Sequence, residues 1–541
     1  MAISSPSPRR SPVRRWWLWL PVLVLGIVAI AFAAALFEWS GASLKGDPTA
    51  LAHLTSQPLA GSIESAQAFG PSGKQIPLIV EHGRLTPEKK LTPGEQVSVK
   101  VVVKRPGWLS WALGKQRTET LTLSAPVAHV TERWLTVSEG SPVKVNFDQP
   151  VSRVAYGDTT RLKHERLATP SDTVDLGARP AAGSVSVAAA VRSWERVGHP
   201  IPVSWFPQAQ APAAISNPAP GTKITPSTPL RLTFSKKVDD VLGGAKPKLT
   251  PAIPGSWHRT DSHTLVFTPS GFGAPFGATV RATLPKALAV RGPNGEGSAT
   301  TKQISWTVPV GSELRLQQLL AQAGYLPVSW SPSGTDVAHT APAEVAAATN
   351  PPPGSFGWRY SHTPPELRKM WSDGQPNAIA RGALMMFENE HGITADGVAG
   401  PQVWKVLLNA AIAGKRHSGG YSYVYVHRNV PQLLTLWHSG RTVLTSPGNT
   451  GVPAAPTQLG TFPVFEHLPV GTMSGTNPDG SKYNDPGIQW ISYFNGGDAL
   501  HAFNRASFGT PQSLGCVELP LAAAGKIWPY TPIGTLVTIE N

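Results

Sequence analysis

An uninterrupted apolar run, residues 16–37, constrains this chain more than any other feature of its sequence. As a helix, its twenty-two residues rise about 33 Å, which spans the ~30 Å hydrocarbon core of a bilayer. The residues before the run include no acidic side chain and four arginines: Arg9, Arg10, Arg14 and Arg15. The positive-inside rule places that flank in the cytoplasm. We therefore expect residues 1–39 to form a basic cytoplasmic segment and a transmembrane anchor, with everything from Trp39 onward extracytoplasmic.

The alternative to an anchor is a cleaved signal peptide, because small residues cluster at positions 31–35. However, the run is longer than a usual signal core. It also opens with aromatic residues that are typical of a membrane interface: Trp16, Trp17 and Trp19. These two features favour an uncleaved, single-pass anchor.

The composition predicts several domains and limits the partners. A chain of 541 residues with 54 prolines and 52 glycines is expected to form three or four domains, mostly β-modules joined by turns. Its net charge of +14 favours anionic surroundings, such as a membrane face or an acidic polymer. The sequence contains no basic stripe interleaved with aromatic residues, so nucleic acid is not a predicted partner. Its one cysteine, Cys516, cannot form an internal disulfide, and is either a small buried side chain or a reactive thiol.

The N-terminal half of the exported part reads as a linker followed by two β-modules. Residues 40–73 are small and polar and predict the linker. Alternating apolar and polar residues within 74–207 and 214–310 predict the two modules. Residues 141–151 align without gaps on residues 228–238, an offset that suits a sandwich of about 100 residues. Both modules resemble bacterial immunoglobulin-like domains, which implies β-sandwiches acting as spacers.

Residues 312–414 change to helical periodicity. Three apolar series with i, i+3, i+4 spacing begin at Leu316, Ala380 and Val403, and Gly324 and Gly392 end the first two. The segments 316–327 and 387–404 resemble the two halves of a helical peptidoglycan-binding domain. About fifty residues, including a proline-rich stretch near 351–353, separate those halves here. Affinity for glycan and a purely architectural role both remain open for this domain.

Patterns typical of strands resume at residues 420–541, and the candidate catalytic residues lie in this region. Gly515 allows a close backbone approach just before Cys516, so backbone N–H groups at these two residues can face a developing oxyanion. His501, on the preceding strand, is the natural partner of Cys516, since a nearby imidazolium lowers the pKa of a thiol. This reasoning predicts a cysteine that reacts below the pH expected for an ordinary thiol. No pair of histidines has metal-ligand spacing, so neither a metal nor a cofactor is predicted.

The motifs of this region occur in the order of a known enzyme family. Thr450-Gly, Pro456-Thr-Gln-Leu-Gly-Thr-Phe, His501 and Ser513-Leu-Gly-Cys resemble the L,D-transpeptidase (YkuD-type) catalytic domain. The resemblance implies a β-sandwich-type fold with Cys516 as nucleophile, His501 as general base and acid, Gly515 on the oxyanion side and Ser513 in support. The predicted protein is thus multidomain and mainly β, with a transmembrane helix, two Ig-like sandwiches, a helical domain and this catalytic domain.

The chain departs from the family pattern near the cysteine. Leu514 stands where the family usually has histidine, and Glu518 stands where it has arginine or asparagine. An acid beside the thiolate raises the thiol pKa unless another charge offsets it, and Arg505 can do so or can bind a substrate carboxylate. Together with Arg505 and Glu518, we take Tyr493 and Phe503 as candidate substrate-binding residues.

The family resemblance also implies the reaction. Cys516 would attack the stem peptide before its terminal D-alanine, and the thioester would pass to the amine of a second stem, giving a 3→3 cross-link in the cell wall. Water as the acceptor would make the protein an L,D-carboxypeptidase instead. A third reading is an inactive wall-binding scaffold, in which the departures near Cys516 are decay. Predicted partners are donor and acceptor stem peptides and the cytoplasmic membrane. The oligomeric state stays open.

Overall fold

The computed structural model of this protein describes residues 20–138, 140–297 and 300–541. The arginines at 9–15 and the tryptophans at 16–19, on which the predicted topology rests, lie outside the described residues. The first described element is a helix, α1 (Leu20–Trp39), without a buried residue. It is long and apolar enough to cross a membrane, with a mean hydropathy of 2.7, and a signal sequence near the N-terminus passes the same test. The structure thus contains the predicted apolar helix and leaves the choice between anchor and signal sequence open.

The described chain divides into two compact units. One unit extends to Gln210 and takes in Pro293–Gly295, and the other comprises Ala211–Gly292 and Glu296–Asn541. After α1, the elements of the first unit are β1 (Ala42–Gly46), β2 (Ala52–Ser56), β3 (Ile63–Phe69), β4 (Gln75–Ile76), β5 (Leu78–Glu81), β6 (Arg84–Pro87), β7 (Gln96–Lys104), α2 (Gly107–Leu113), β8 (Gln116–Ser124), β9 (Trp134–Val137), β10 (Pro142–Asp158), β11 (Arg161–Ala178), β12 (Gly183–Ala190) and β13 (Ile201–Pro207).

The predicted linker at residues 40–73 is wrong. Strands β1, β2 and β3 lie there, and they join sheets with the orders β1-β2-β6-β5 and β4-β3-β7-β8. Leu51, Leu54 and Ala68 are buried in the core that these strands share with residues up to Ala125. The stretch contains few large apolar residues, and each strand buries only one or two, which hides the alternation from sequence reading.

The prediction of one module over residues 74–207 is also wrong, because the alternating pattern runs on across two separate cores. Its first part completes the core of β1–β8, whereas its second part, from Leu135 to Trp205, packs around a separate core. That second core belongs to a sheet with the order β11-β10-β12-β13-β9. The boundary between the two modules therefore lies near residue 128, since Ala128 already packs against the second core.

The second unit begins with another β-module. Its elements are β14 (Ala213–Asn217), β15 (Leu230–Phe234), α3 (Val238–Leu242), β16 (Lys248–Thr250), β17 (Gly255–Asp261), β18 (Thr264–Pro269), β19 (Thr279–Arg291) and β20 (Thr300–Thr307). The repeat predicted from the sequence falls on β10 and β15, and its aligned apolar positions are buried in both: Val143, Val145 and Phe147 in one, Leu230, Leu232 and Phe234 in the other. In each module an early strand also pairs in parallel with a late one, β9 with β13 and β14 with β19. The immunoglobulin-like assignment itself stays a prediction.

The helices expected between residues 312 and 414 are present. The elements are α4 (Glu313–Gln322), β21 (Val328–Pro332), α5 (Ala341–Thr349), β22 (Gly354–Trp358), α6 (Pro365–Lys369), α7 (Ala378–Glu390) and α8 (Pro401–Ile412). Gly324 and Gly392 follow α4 and α7 with φ of 87° and 65°, a conformation that favours glycine and ends a helix. The inserted residues form the hairpin β21–β22 with α5 and α6, and an ion pair of 2.7 Å between the buried Arg315 and Glu344 joins α4 to α5. Binding of peptidoglycan by this region stays a prediction.

From residue 420 on, the described strands form two sheets packed face to face. The elements are β23 (Ser422–His427), β24 (Leu433–His438), β25 (Arg441–Pro447), β26 (Gly460–Pro463), β27 (Glu466–Thr476), β28 (Lys482–Asn495), β29 (Asp498–Ala502), β30 (Val517–Leu519), α9 (Leu521–Ile527), a 3₁₀ turn (Trp528–Tyr530) and β31 (Leu536–Glu540). One sheet has the order β25-β24-β23-β31-β26 and the other β27-β28-β29-β30. Apolar residues of both sheets, such as Val424, Leu500 and Val537, form one core. The strands expected at residues 420–541 are therefore observed.

Candidate active site

The β27–β30 sheet brings Cys516 and His501 together. Strands β29 and β30 pair in parallel, with His501 opposite Glu518. Cys516 directly precedes β30 and packs against the same small apolar cluster as Phe503, whose ring meets that of His501. Tyr493, opposite Ala499 on β28, packs against that cluster too. The residues predicted from distant parts of the motif thus meet at one sheet.

The turn before the cysteine depends on Gly515. Its φ is 119°, in the region that favours glycine, and a Cβ added there would lie 2.2 Å from Oδ1 of Asp498. The hydroxyl of Ser513 donates to the carbonyl oxygen of Cys516 at 2.5 Å and accepts from the N–H of Gly515 at 3.3 Å. The absence of a Cβ at Gly515 permits a close approach, and the oxyanion role of its backbone stays a prediction. The partner in that approach is the side chain of Asp498, a residue that the sequence analysis did not select.

A second loop, residues 449–457, supports the turn. The backbone of Asn449 exchanges two hydrogen bonds of 2.9 Å with Glu518, and the N–H of Ser513 donates to the carbonyl of Thr450 at 3.1 Å. The hydroxyl of Thr457 accepts from the N–H of Gly451 at 2.9 Å. Backbone hydrogen bonds of Asn449 and Thr450 therefore join the two loops, and Thr457 bridges residues within the 449–457 loop.

The imidazole of His501 is buried and held in one orientation. Its Nδ1 lies 3.0 Å from the carbonyl oxygen of Ala502. A carbonyl only accepts, so Nδ1 carries the proton and the neutral ring keeps its lone pair at Nε2. Burial lowers the pKa of His501, although the Ala502 hydrogen bond and the charge of Glu518 act in the opposite direction. The ring is consequently neutral near pH 7, with Nε2 as its basic atom.

The thiol of Cys516 is protonated at rest. Its Sγ lies 3.6 Å from the carbonyl oxygen of Gly497, to which the S–H can donate. Burial raises the pKa of this thiol from 9.0 to about 12, and the charges of Asp498 and Glu518 add to the effect of burial. Within the described part of the chain, no hydrogen bond joins Sγ to His501. The expectation of a thiol ionised below the usual pH is therefore wrong: the structure contains a neutral thiol and a neutral imidazole.

Arg505 and Glu518 bind each other. The guanidinium donates to both carboxylate oxygens, at 2.7 and 2.8 Å, and also to the carbonyl of Gln512 at 3.1 Å. Glu518 is buried, and the Arg505 guanidinium lies 4.6 Å from the ring centre of Phe503. Arg505 thus offsets the unusual acid, which was one of its two predicted roles. Substrate contacts of either side chain stay a prediction.

The remaining candidates lie near Cys516 and His501. Tyr493 and Phe503 are half-buried and pack, with Cys516, against a small cluster around Ile491. Phe503 meets the His501 ring edge to face, with 5.9 Å between ring centres. Residues 20–138, 140–297 and 300–541 contain no group of three or more acidic, histidine or cysteine side chains that could hold a metal ion.

Comparison with known proteins assigns this two-sheet domain to a family. Residues 421–539 match the family model of the L,D-transpeptidase catalytic domain, YkuD. This segment of the chain is therefore an L,D-transpeptidase catalytic domain of the YkuD family. No curated protein sequence matches the chain.

The solved structures that match the chain include three L,D-transpeptidases. The enzyme from Mycobacterium smegmatis is 11% identical and covers 61% of this chain and 100% of its own, with a TM-score of 0.21. L,D-transpeptidase 3 from Mycobacterium tuberculosis, solved with a faropenem-derived adduct, is 12% identical over 61% of this chain and 98% of its own, with a TM-score of 0.21. The catalytic domain of the E. faecium enzyme is 23% identical over 22% of this chain and 95% of its own, with a TM-score of 0.21.

Proposed function

We propose that this protein is a peptidoglycan L,D-transpeptidase that forms 3→3 cross-links through a thioester on Cys516. The observation that supports the proposal is that Cys516, directly before β30, packs against the same apolar cluster as Phe503, whose ring meets His501 of β29, in a domain that matches the YkuD family. A peptidoglycan substrate is what that family implies.

In the acylation step, Sγ of Cys516 attacks the carbonyl carbon that joins the third stem residue to the terminal D-alanine. Nε2 of His501 accepts the thiol proton as the C–S bond forms. The amide C–N bond then breaks, the proton passes from His501 to the departing amine, and free D-alanine leaves a thioester behind. Because both groups are neutral at rest, proton transfer accompanies the attack and does not precede it.

The surrounding backbone has a defined part in this step. Negative charge develops on the carbonyl oxygen, and N–H groups at Gly515 and Cys516 are the candidates to bind it. Ser513 holds the turn that presents them, through its hydrogen bonds to both residues. A substitution that opens this turn should therefore slow acylation without unfolding the domain.

The rest of the chain positions this domain, in our proposal. Helix α1 acts as a single-pass anchor of the cell membrane with its N-terminus in the cytoplasm, and the β-modules act as spacers. The helical region, α4 to α8, shares a continuous apolar core with the β-module before it and with the catalytic domain, through residues such as Trp306, Phe387 and Tyr423. This shared core supports an architectural role for the helical region, beside any affinity for glycan.

The proposal is tested with the full chain in detergent micelles. A carbapenem is incubated with wild type, Cys516→Ala, His501→Gln and, as a matched control, His427→Gln, a histidine of the same domain that pairs with Glu540. Intact mass spectrometry should show one adduct on wild type and on the control, none on Cys516→Ala, and slow formation on His501→Gln. Folded wild type without an adduct would refute the thioester mechanism and favour the scaffold.

A second assay separates the two possible acceptors. Disaccharide-tetrapeptides are incubated with the protein, and the products are weighed. Dimers joined 3→3 would support transpeptidation, whereas disaccharide-tripeptides alone, with release of D-alanine, would show an L,D-carboxypeptidase.

A further inference from the structure

The end of helix α1 is bound to the tip of the β7–β8 hairpin. Arg105, the residue after β7, donates from Nε to the hydroxyl of Ser40 at 3.0 Å, and that hydroxyl donates to the carbonyl of Phe37 at 3.0 Å. The guanidinium of Arg117, in β8, also donates to this carbonyl and lies 4.4 Å from the centre of the Phe37 ring. Arg105 donates in addition to the carbonyl of Leu113, the last residue of α2. Helix α2, at the tip of the hairpin, is therefore held close to the end of α1.

The most exposed tryptophans of the described chain lie around this contact. Within residues 20–138, 140–297 and 300–541, three tryptophans have more than half of their surface exposed: Trp39 at 53%, Trp108 at 59% and Trp111 at 86%. Trp39 ends α1, and Trp108 and Trp111, three positions apart, share one face of α2. Leu109 on the other face is buried in the module. An indole ring is favoured at the interface of a bilayer, where its apolar part meets lipid and its N–H stays hydrated.

The charges around α2 suit a phospholipid surface. The segment from Lys104 to Arg117 contains four basic residues and no acidic one. Three nearby acids bind side chains of this segment, Glu38 and Glu119 through Arg117 and Glu64 through Gln116. Lys104 and Lys115, on either side of α2, are exposed, and neither forms an ion pair with any residue that the structure describes. Two such ammonium groups beside exposed aromatic rings match the phosphates and the acyl boundary of a lipid interface.

We propose that the tip of the β7–β8 hairpin, residues 104–115, lies in the outer interface of the cytoplasmic membrane. Trp108 and Trp111 then lie at the level of the headgroups, and Lys104 and Lys115 bind lipid phosphates. The depth is consistent with a membrane-spanning α1, because α2 is bound to residues 37–40, where that helix leaves the hydrocarbon. The inference rests on the anchor in the proposed function and goes beyond it. It gives the β1–β8 module a second contact with the membrane, which fixes the orientation of the module on the bilayer.

The test reports the surroundings of position 111 in the full chain, reconstituted into vesicles of phosphatidylcholine and phosphatidylglycerol. Cys516→Ala removes the one native thiol, and Trp111→Cys supplies a single attachment point for an environment-sensitive fluorophore. The side chain at this position is 86% exposed, so the change leaves the core intact. The matched control is Gln96→Cys in the same background, because Gln96 is exposed and lies at the opposite end of β7, about 26 Å from Lys104.

We expect lipids with a doxyl group near the headgroup to quench the fluorophore at position 111 at least about twofold and to leave the one at position 96 unchanged. Iodide in the aqueous phase should quench in the reverse order. Equal quenching by iodide at both positions, without quenching by lipid, would overturn the inference and leave α2 to water or to a protein partner. Equal quenching by lipid at both positions would also overturn it, since the contact would not be specific to the tip.

Extraction of the same vesicles with alkaline carbonate separates this inference from the proposed anchor. A chain that stays in the vesicles but shows no lipid quenching at position 111 would refute the contact alone. A chain that carbonate removes would refute the anchor and the contact together. The catalytic part of the proposed function enters neither result, because the labelled chains lack Cys516 and the carbapenem adduct is measured separately on wild type.

Discussion

The pH dependence of thiol labelling is the prediction that bears most directly on the site. Burial raises the pKa of Cys516 from 9.0 to about 12, with the charges of Asp498 and Glu518 in support. Only the thiolate reacts with iodoacetamide. At pH 8 an ordinary thiol is about a tenth ionised, so a pKa near 12 lowers the labelling rate by about a hundred- to a thousandfold. Between pH 7 and 10 the rate should also increase tenfold for each pH unit, without a plateau.

The reference for this assay is the same thiol in the unfolded chain. The chain has one cysteine, so labelling in guanidinium chloride, where the protein is unfolded, reports the unperturbed value. Glu518→Gln removes a negative charge near the sulfur and leaves the Arg505 cation unpaired, so labelling of this variant should be several-fold faster than that of wild type. A plateau below pH 9 in the folded wild type would mean that an ion pair with His501 exists at rest, and would refute this reasoning.

Three further predictions concern stability. Arg505→Ala leaves the buried Glu518 carboxylate without its cation and should lower the free energy of unfolding by about 2–3 kcal/mol. Guanidinium titrations measure this change, and a decrease below about 0.5 kcal/mol would contradict the pairing. Gly515→Ala meets Asp498 at a positive φ and should cost about 1–3 kcal/mol and slow carbapenem acylation; native stability and rate would contradict the close approach. Burial raises the pKa of Glu388 to about 7, so its contribution to stability is complete below its ordinary pKa near 4.5 and is lost as the pH rises through 7. Glu388→Gln should reduce the stability difference between pH 5 and pH 8 by about 2–3 kcal/mol, as denaturation at both pH values would measure; an equal difference would contradict the shift.

The sequence alone predicted those elements whose buried face and ends are marked by nearby residues. Helix α4 has three buried leucines at helical spacing and ends at Gly324, and α8 begins with a proline in its first turn. The β24–β25 hairpin turns at Ser439 and Gly440, both with positive φ, so its turn too lies in a short polar stretch of the sequence. In such elements burial and capping come from neighbours in the sequence, so the sequence alone defines them.

Residues 40–73 show where this approach fails. Strand β2 is buried because it pairs with β6, more than thirty positions later, in the register Ala52 to Leu85. An alanine or threonine becomes a core residue only when that partner is present. The same limit applied to residues 74–207, where the alternating pattern is continuous and only the packing reveals two separate cores. Both predictions failed because the structure depends on long-range pairing, which no local pattern records.

The residues of the candidate site also fall into two groups, those with a sequence signal and those without one. Cys516, His501 and Gly515 carry motif signals, and the sheet brings them together. Asp498 carries none, since it is placed by its close approach to Gly515. The direction of the pKa shift of the Cys516 thiol was predicted wrongly for a related reason. A motif identifies a neighbour that can stabilise a thiolate, but burial, which has no sequence signal, dominates the pKa.

The two departures from the family pattern acquire a physical meaning from these contacts. Leu514 leaves His501 as the motif histidine, and the Ala502 carbonyl already assigns its Nε2 as the basic atom, so the proposed proton transfer needs no second imidazole. Glu518 would by itself oppose any negative charge on the sulfur, but Arg505 binds both of its oxygens and carries the compensating charge. If the proposed mechanism holds, reversing both members of the pair, Glu518→Arg with Arg505→Glu, should preserve acylation better than Arg505→Glu alone. The reason is that the single change leaves two acids beside the thiol, whereas the exchange restores neutrality. Equal loss in the single and double variants would mean that the pair acts through the shape of the segment after Cys516 and not through its charge.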